Sequence, residues 1–234
     1  MNHRILLWDL EFMNLNANFG FIFCGGIKEY KGKTKVLSIS DYRGWRDDPS
    51  NDKKLVSDIA AKLSEADLWV TWYGKRCDVP YLNTRLLFHR LPPLPAVHHI
   101  DGWETARRHL KMHSNRLASL QDFLGVNEKK TSIAPSAWLK ACGGDKASLN
   151  YITHHCYKDV EVLEEVYERL LPFIKDPAVR NERGACLRCG SLKLQSRGFI
   201  RSTVNIKPRF QCMSCGGWMH GKAVRNSGAT FKPC

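Results

Sequence analysis

Two sets of residues in this 234-residue chain have the types and spacing to do chemistry. The first is acidic. Asp9 and Glu11 stand two apart in RILLWDLEF, Asp78 lies in TWYGKRCDVPYLNTR, and Asp159 lies in HHCYKDVEVLEEVY. In an extended strand, residues two apart point to the same face. Asp9 and Glu11 therefore present paired carboxylates from an otherwise apolar run, which is costly unless a cation neutralises them. Taken singly, Asp78 reads as a helix cap and Asp159 as the polar side of an amphipathic helix. The second set is Cys186, Cys189, Cys212 and Cys215, two CxxC pairs with 22 residues between them, each followed by glycine (CLRCG, CMSCGG). Four thiolates suit one tetrahedral, structural Zn²⁺ with no open position for chemistry.

The elements that must position these groups are legible from periodicity. RILLWDLEF, FGFIFCGGI and KTKVLSISDY read as three strands on short connections, an antiparallel meander. DKKLVSDIAAKLSEA places Leu55, Val56, Ile59 and Leu63 at helical spacing, and DLWVTWY follows as a strand. A helix over Val79–His89, a short strand at VHHID, and helices in GWETARRHLKM, RLASLQDFLG, APSAWLKAC and ASLNYITHHCYKDVEVLEEVYERLLPFI complete the body, with Pro172 ending the last. DPAVRNERG reads as a linker. Domains are expected at residues 1–176 and 177–234. Trp8, Trp103 and Trp138 read as core, Asp101 as a structural or helix-capping residue, and His98, His99, His109 and His113 lack ligand spacing.

In this order the acidic segments resemble the three motifs of the DEDD 3′→5′ exonuclease superfamily. The similarity covers roughly residues 4–174 and includes YGKxxDxPYLxxR and HIDGWETARRHLK…LASLQDFLG, which are similar to stretches of the proofreading domain of family B polymerases. KDVEVLEEVYERLLPFI followed by a two-CxxC ribbon resembles phage-type exonucleases. The resemblance implies an α/β, ribonuclease H-like mixed sheet flanked by helices, plus a small C-terminal zinc ribbon. It also implies that Asp9, Glu11, Asp78 and Asp159 hold two Mg²⁺ or Mn²⁺ ions. In that superfamily the group acting on the attacking water is a histidine five residues before the last aspartate or a tyrosine four before it. His154 fills the first slot and His155 the second; His154 is the first choice, although His155 shares a helix face with Asp159. Tyr73 and Cys77 depart from the usual second motif, which carries Asn and an aromatic there, so altered contacts to the terminal nucleotide are expected.

Charge points the same way. The formal net charge is +13. Residues 178–234 hold eleven Lys and Arg against Glu182, so +10 sits on the ribbon and only +3 on the first 177 residues. A basic block on a near-neutral body suits a polyanion. Between the CxxC pairs, Lys193, Arg197, Phe199, Arg201, Lys207, Arg209 and Phe210 mix cations with aromatics, the composition that grips phosphates and stacks bases. Hydrophobic residues at 43% and charged residues at 25% are globular values. No run is long enough for a membrane span and no signal-peptide core forms, so a cytoplasmic protein is expected. The expected activity is metal-dependent 3′→5′ exonucleolysis of nucleic acid, single-stranded DNA first. The alternatives are an RNA exonuclease, a structure-specific endonuclease, or a non-catalytic zinc-ribbon adaptor.

Overall fold

A computed structural model describes residues 4–126, 133–174, 184–202 and 204–225. The chain forms two compact units, one ending at Tyr167 and one beginning at Glu168. The division falls inside the last long helix, nine residues before the expected boundary. Residues 176–183 of the expected linker lie outside the described residues.

The first unit is built on a mixed sheet. β1 (Ile5–Phe12), β2 (Ile22–Glu29) and β3 (Thr34–Ser38) form the expected antiparallel meander. The chain then crosses through α1 (Lys53–Leu63) to β4 (Leu68–Thr71), parallel to β1, and through α2 (Asp78–Phe88) to β5 (His98–Asp101), parallel to β4. Parallel neighbours require such crossovers, whereas the meander needs only tight turns. The strand order β3-β2-β1-β4-β5 puts β1 in the centre. Among the described residues four helices follow: α3 (Gly102–His109), α4 (Leu117–Leu124), α5 (Pro135–Cys142) and α6 (Lys146–Leu170). Among the described residues no helix is long and apolar enough to cross a membrane.

The third strand stops earlier than its apolar pattern suggests. Ser38 opens a 3-10 turn over Ile39–Asp41 in which its hydroxyl accepts from Ser40 N and Asp41 accepts from Ser38 N, a capping box that ends the extended backbone. Pro172 lies in a second 3-10 turn after Leu170, ending the helix as expected.

Helices cover both sheet faces. Gly25 and Gly26 of β2 lie across from Leu10 and Asp9 of β1. A Cβ at Gly25 would stand 2.7 Å from Ile59 of α1, and one at Gly26 would stand 2.8 Å from Val160 of α6. The glycine pair thus admits a helix closely on each side. On the α1 side, Trp8, Leu55, Ile59 and Leu63 are fully buried, and Trp69 donates its indole N–H to Leu63 O at 2.9 Å. On the other side, Lys28 of β2 reaches Glu161 and Glu164 of α6, both at 2.6 Å, and clamps that helix to the sheet. Buried Asp52 accepts from Arg85 Nε and Nη2 and from Ile22 N and lies 2.6 Å from His89 Nε2, fixing α2 against β2.

The second unit contains its own antiparallel sheet of β6 (Leu194–Arg201), β7 (Asn205–Cys212), β8 (Trp218–His220) and β9 (Val224–Arg225), with β7 pairing all three others. A bulge between Ser196 and Phe199 breaks the β6–β7 register, and Gly198 takes positive φ there.

Candidate active site

Glu11, near the end of central β1, meets α6. Its carboxylate, the His155 imidazole and the Asp159 carboxylate place one ligand atom each within 4.8 Å of one another. His155 Nε2 is 3.8 Å from Glu11 Oε1 and 3.7 Å from Asp159 Oδ2. These separations are too long for hydrogen bonds and leave room for an ion or a water between the groups. All three side chains are largely buried, at 14%, 8% and 8% exposure. The two carboxylates suit a hard divalent metal, and the imidazole stands beside them.

His154 is not part of this arrangement. It is exposed and stacks on Tyr157, with ring centroids 6.4 Å apart. At 100° per residue, a residue four before Asp159 lies only about 40° from it around the helix, whereas one five before lies about 140° away. The structure brings His155, in the second of the two histidine slots, beside the carboxylates, and leaves His154, the first choice from spacing, exposed.

Asp78 is the first residue of α2, with Cys77 at the cap position, so it does not cap the helix it opens. Its carboxyl is buried, which pushes its pKa up to about 7; backbone amides, its own and that of Leu10, pull it down, and the charge of Asp101 adds to the rise. The Leu10 contact places Asp78 against the strand segment that carries Asp9 and Glu11. Asp9 is half-buried across from Gly26. Asp9 and Asp78 adjoin the Glu11–His155–Asp159 group without belonging to the 4.8 Å set. Cys77 is held protonated, its pKa raised to about 12 by burial and then by the charges of Asp78 and Asp9.

Asp101 does more than cap. Its buried carboxylate accepts from Trp103 N (3.0 Å) and Glu104 N (3.4 Å) at the start of α3, as expected, and also from Tyr73 N (2.9 Å) and Lys75 N (3.1 Å). The last two bonds hold the turn leading into Asp78. Tyr73 adopts φ +67°, and a Cβ on Gly74 would meet Thr71 Oγ1 at 2.4 Å, so this turn is tight and specific. His99 is half-buried, its pKa lowered to about 4 by desolvation first, and it sits 2.8 Å from Thr71 Oγ1. Trp8 is core and Trp138 packs on Phe23, but Trp103 departs from expectation. It is half-buried beside Tyr73, with Arg76 and Arg107 over its ring at 5.5 and 5.0 Å. Its neighbouring arginines, Arg76 and Arg107, were the available sequence signal.

In the second unit Cys186, Cys189, Cys212 and Cys215 converge within 4.8 Å. Sγ atoms are 3.7 Å apart for Cys186 and Cys215 and 3.6 Å for Cys189 and Cys212. Four sulfurs about 2.3 Å from one Zn²⁺ in a tetrahedron would stand about 3.8 Å apart. Gly190 and Gly216 both take φ +73° and donate N–H to Cys186 O and Cys212 O, so the two CxxC turns are built alike, as the following glycines suggested. Lys193, Arg197, Phe199, Arg201 and Lys207 are exposed, whereas Arg209 and Phe210 are half-buried. The pairing register puts Lys207 and Arg209 on one face of the ribbon and Phe199, Arg201 and Phe210 on the other. Arg209 lies 4.9 Å from the ring of Trp218, an exposed aromatic beyond the second CxxC pair and so outside the inter-CxxC segment.

A family model for the RNase H superfamily (RNase_H_2) matches residues 6–171, well over half of the chain. The chain belongs to the RNase H superfamily. No curated protein matches it significantly. Among solved structures, this RNase H superfamily chain is similar to the family B DNA polymerase of the hyperthermophilic archaeon Pyrobaculum calidifontis, with a TM-score of 0.60 at 17% identity. The match covers 74% of this chain and a quarter of the polymerase. At that identity the likeness is one of fold. The mixed sheet flanked by helices is thus the ribonuclease H-like architecture, followed by a four-cysteine ribbon.

Proposed function

We propose that this RNase H superfamily protein is a metal-dependent 3′→5′ exonuclease acting on single-stranded nucleic acid, DNA before RNA. In this reading residues 1–176 cleave and residues 177–234 hold the strand. The convergence of Glu11, His155 and Asp159 carries the reading, since buried carboxylates gathered at the end of a central strand have few other uses. Asp9, Glu11, Asp78 and Asp159 would hold two Mg²⁺ or Mn²⁺ ions. Such ions supply an activated water and stabilise the departing 3′ oxygen. His155, beside Glu11 and Asp159, would take a proton of that water, a task to which imidazole is suited near neutral pH. Asp101 acts as a positioning residue by fixing the turn before Asp78. Beside Glu11, a cavity of about 500 Å³ lined by Phe12, Met13, Asn14 and Trp138 offers apolar walls for the terminal base. The four cysteines would hold a structural Zn²⁺ that folds the ribbon, whose exposed cations track phosphates without reading sequence.

The experiment is incubation of 5′-labelled single-stranded DNA, duplex DNA and RNA with Mg²⁺, with Mn²⁺ and with chelator. A metal-dependent ladder shortening from the 3′ end is the expected result. Internal cuts would favour the endonuclease, and retention without cleavage the adaptor.

A further inference from the structure

A second cavity lies well away from the carboxylates. It has a volume of about 480 Å³, within the range of small-molecule sites. Five cationic side chains line it, Arg4, Lys31, Lys33, Lys35 and Lys62, against the one carboxylate of Glu29. Its apolar floor is Leu6, Ile27 and Leu37. Register fixes its location. Leu6 pairs with Glu29, Ile27 with Trp8 and Lys35, and Leu37 with Gly25, so these residues share the sheet face covered by α1. Asp9 and Glu11 alternate to the opposite face, where α6 packs. Leu6 is also five residues upstream of Glu11, about 17 Å along the strand. A group seated here cannot simultaneously touch the carboxylates.

The charges are only partly matched. Arg4 pairs with Glu29 and Glu65, and Lys62 pairs with Glu65. Lys31, Lys33 and Lys35 form no ion pair among the described residues, although Lys31 Nζ lies 5.3 Å from the ring centroid of Tyr30, and all three are exposed at the rim. Three exposed cations with no ion pair among the described residues, bordering an apolar floor, call for a ligand that is anionic at one end and flat and apolar at the other. We propose that this cavity binds a nucleotide, with its phosphate on Lys31, Lys33 and Lys35 and its base over Leu6, Ile27 and Leu37. The nucleotide is either free or one unit of a strand that passes behind the sheet; the recognising chemistry is the same.

The test uses the full-length protein in chelator, so that it does not depend on catalysis. Isoleucine and leucine methyls are labelled, and dAMP, inorganic phosphate, deoxyadenosine and a tetranucleotide are titrated separately. The Ile27 and Leu37 methyl signals should shift and saturate with dAMP at about tenfold lower concentration than with phosphate or deoxyadenosine. A K33E/K35E variant, altered only at exposed positions, should require at least about tenfold more dAMP, because two charge-assisted contacts are lost. Tighter saturation by the tetranucleotide than by dAMP assigns the site to a strand; the reverse assigns it to free nucleotide. Absence of a saturable shift with both nucleotide ligands, a shift indifferent to K33E/K35E, or equal response to phosphate alone would overturn the proposal.

Discussion

Replacing Asp101 with Asn tests whether the turn before Asp78 is held by charge. The carboxylate is 2% exposed and accepts four backbone N–H groups. With the amide oxygen in the Oδ1 position, three of these contacts survive but change from charge-assisted to neutral, a loss of roughly 1 kcal/mol each. At the Oδ2 position the new NH₂ group faces Lys75 N–H, leaving buried donors opposed at a cost of about 1–3 kcal/mol. Relief from burying one charge fewer, and from its repulsion of Asp78, offsets part of this. The net expectation is a loss of about 2–4 kcal/mol, a substantial fraction of the 5–15 kcal/mol typical of a domain. Urea melts of D101N against the parent measure it. Because Asp101 also raises the Asp78 pKa, D101N should move the acid limb of the kcat profile to lower pH, and kcat should fall more than KM rises. A variant within about 0.5 kcal/mol of the parent, with an unchanged pH profile, would refute the reasoning.

Asp78 itself gives a metal-linked prediction. Its folded pKa is raised to about 7, so in chelator its contribution to stability is full below pH 4 and is lost as pH rises towards 7, by up to ~4 kcal/mol. D78N should match the parent at pH 4, exceed it in stability at pH 8 in chelator, and lose that advantage when Mn²⁺ is added to both; thermal melts read all three. His155→Ala should lower kcat about 100-fold or more while His154→Ala stays within a few fold, as measured on labelled single strands. A K207E/R209E pair on one ribbon face should reduce the slope of log affinity against log salt by about 1.4 for single strands, as filter binding or anisotropy would show. Cys212→Ala should abolish stoichiometric zinc while leaving Mg²⁺-dependent cleavage of a dinucleotide, separable by metal analysis and a turnover assay.

Much of this molecule can be read from its residues because periodicity and spacing are local. The apolar runs around Asp9 and Glu11 announce a buried strand, the spacing of Leu55, Ile59 and Leu63 announces α1, and the CxxC-Gly pairs announce the two matching turns of the ribbon. What stayed hidden depends on where local pieces meet. Both histidines satisfy a linear spacing, and only the rotation of α6 toward β1 brings His155 rather than His154 beside Glu11. Asp101 reads as a cap from its own helix, but its bonds to Tyr73 and Lys75 cross from one strand end to another. Two capping interactions outweigh the β-rich composition of the stretch after Ser38. On the ribbon, alternation divides cations and aromatics that look continuous in one dimension.

The glycine across from Asp9 has a consequence for how variation in this chain would be read. Gly26 carries no functional group, yet it sets how near α6, with His155 and Asp159, can come to the strand bearing Glu11. A single added methyl would press on Val160 and Cys156 and widen the gap between Glu11 and the His155–Asp159 pair. In a saturation mutagenesis screen for nuclease activity, position 26 should therefore score like a catalytic position, while a screen for soluble expression would pass several of the same variants. The width of the site is set by the absence of an atom.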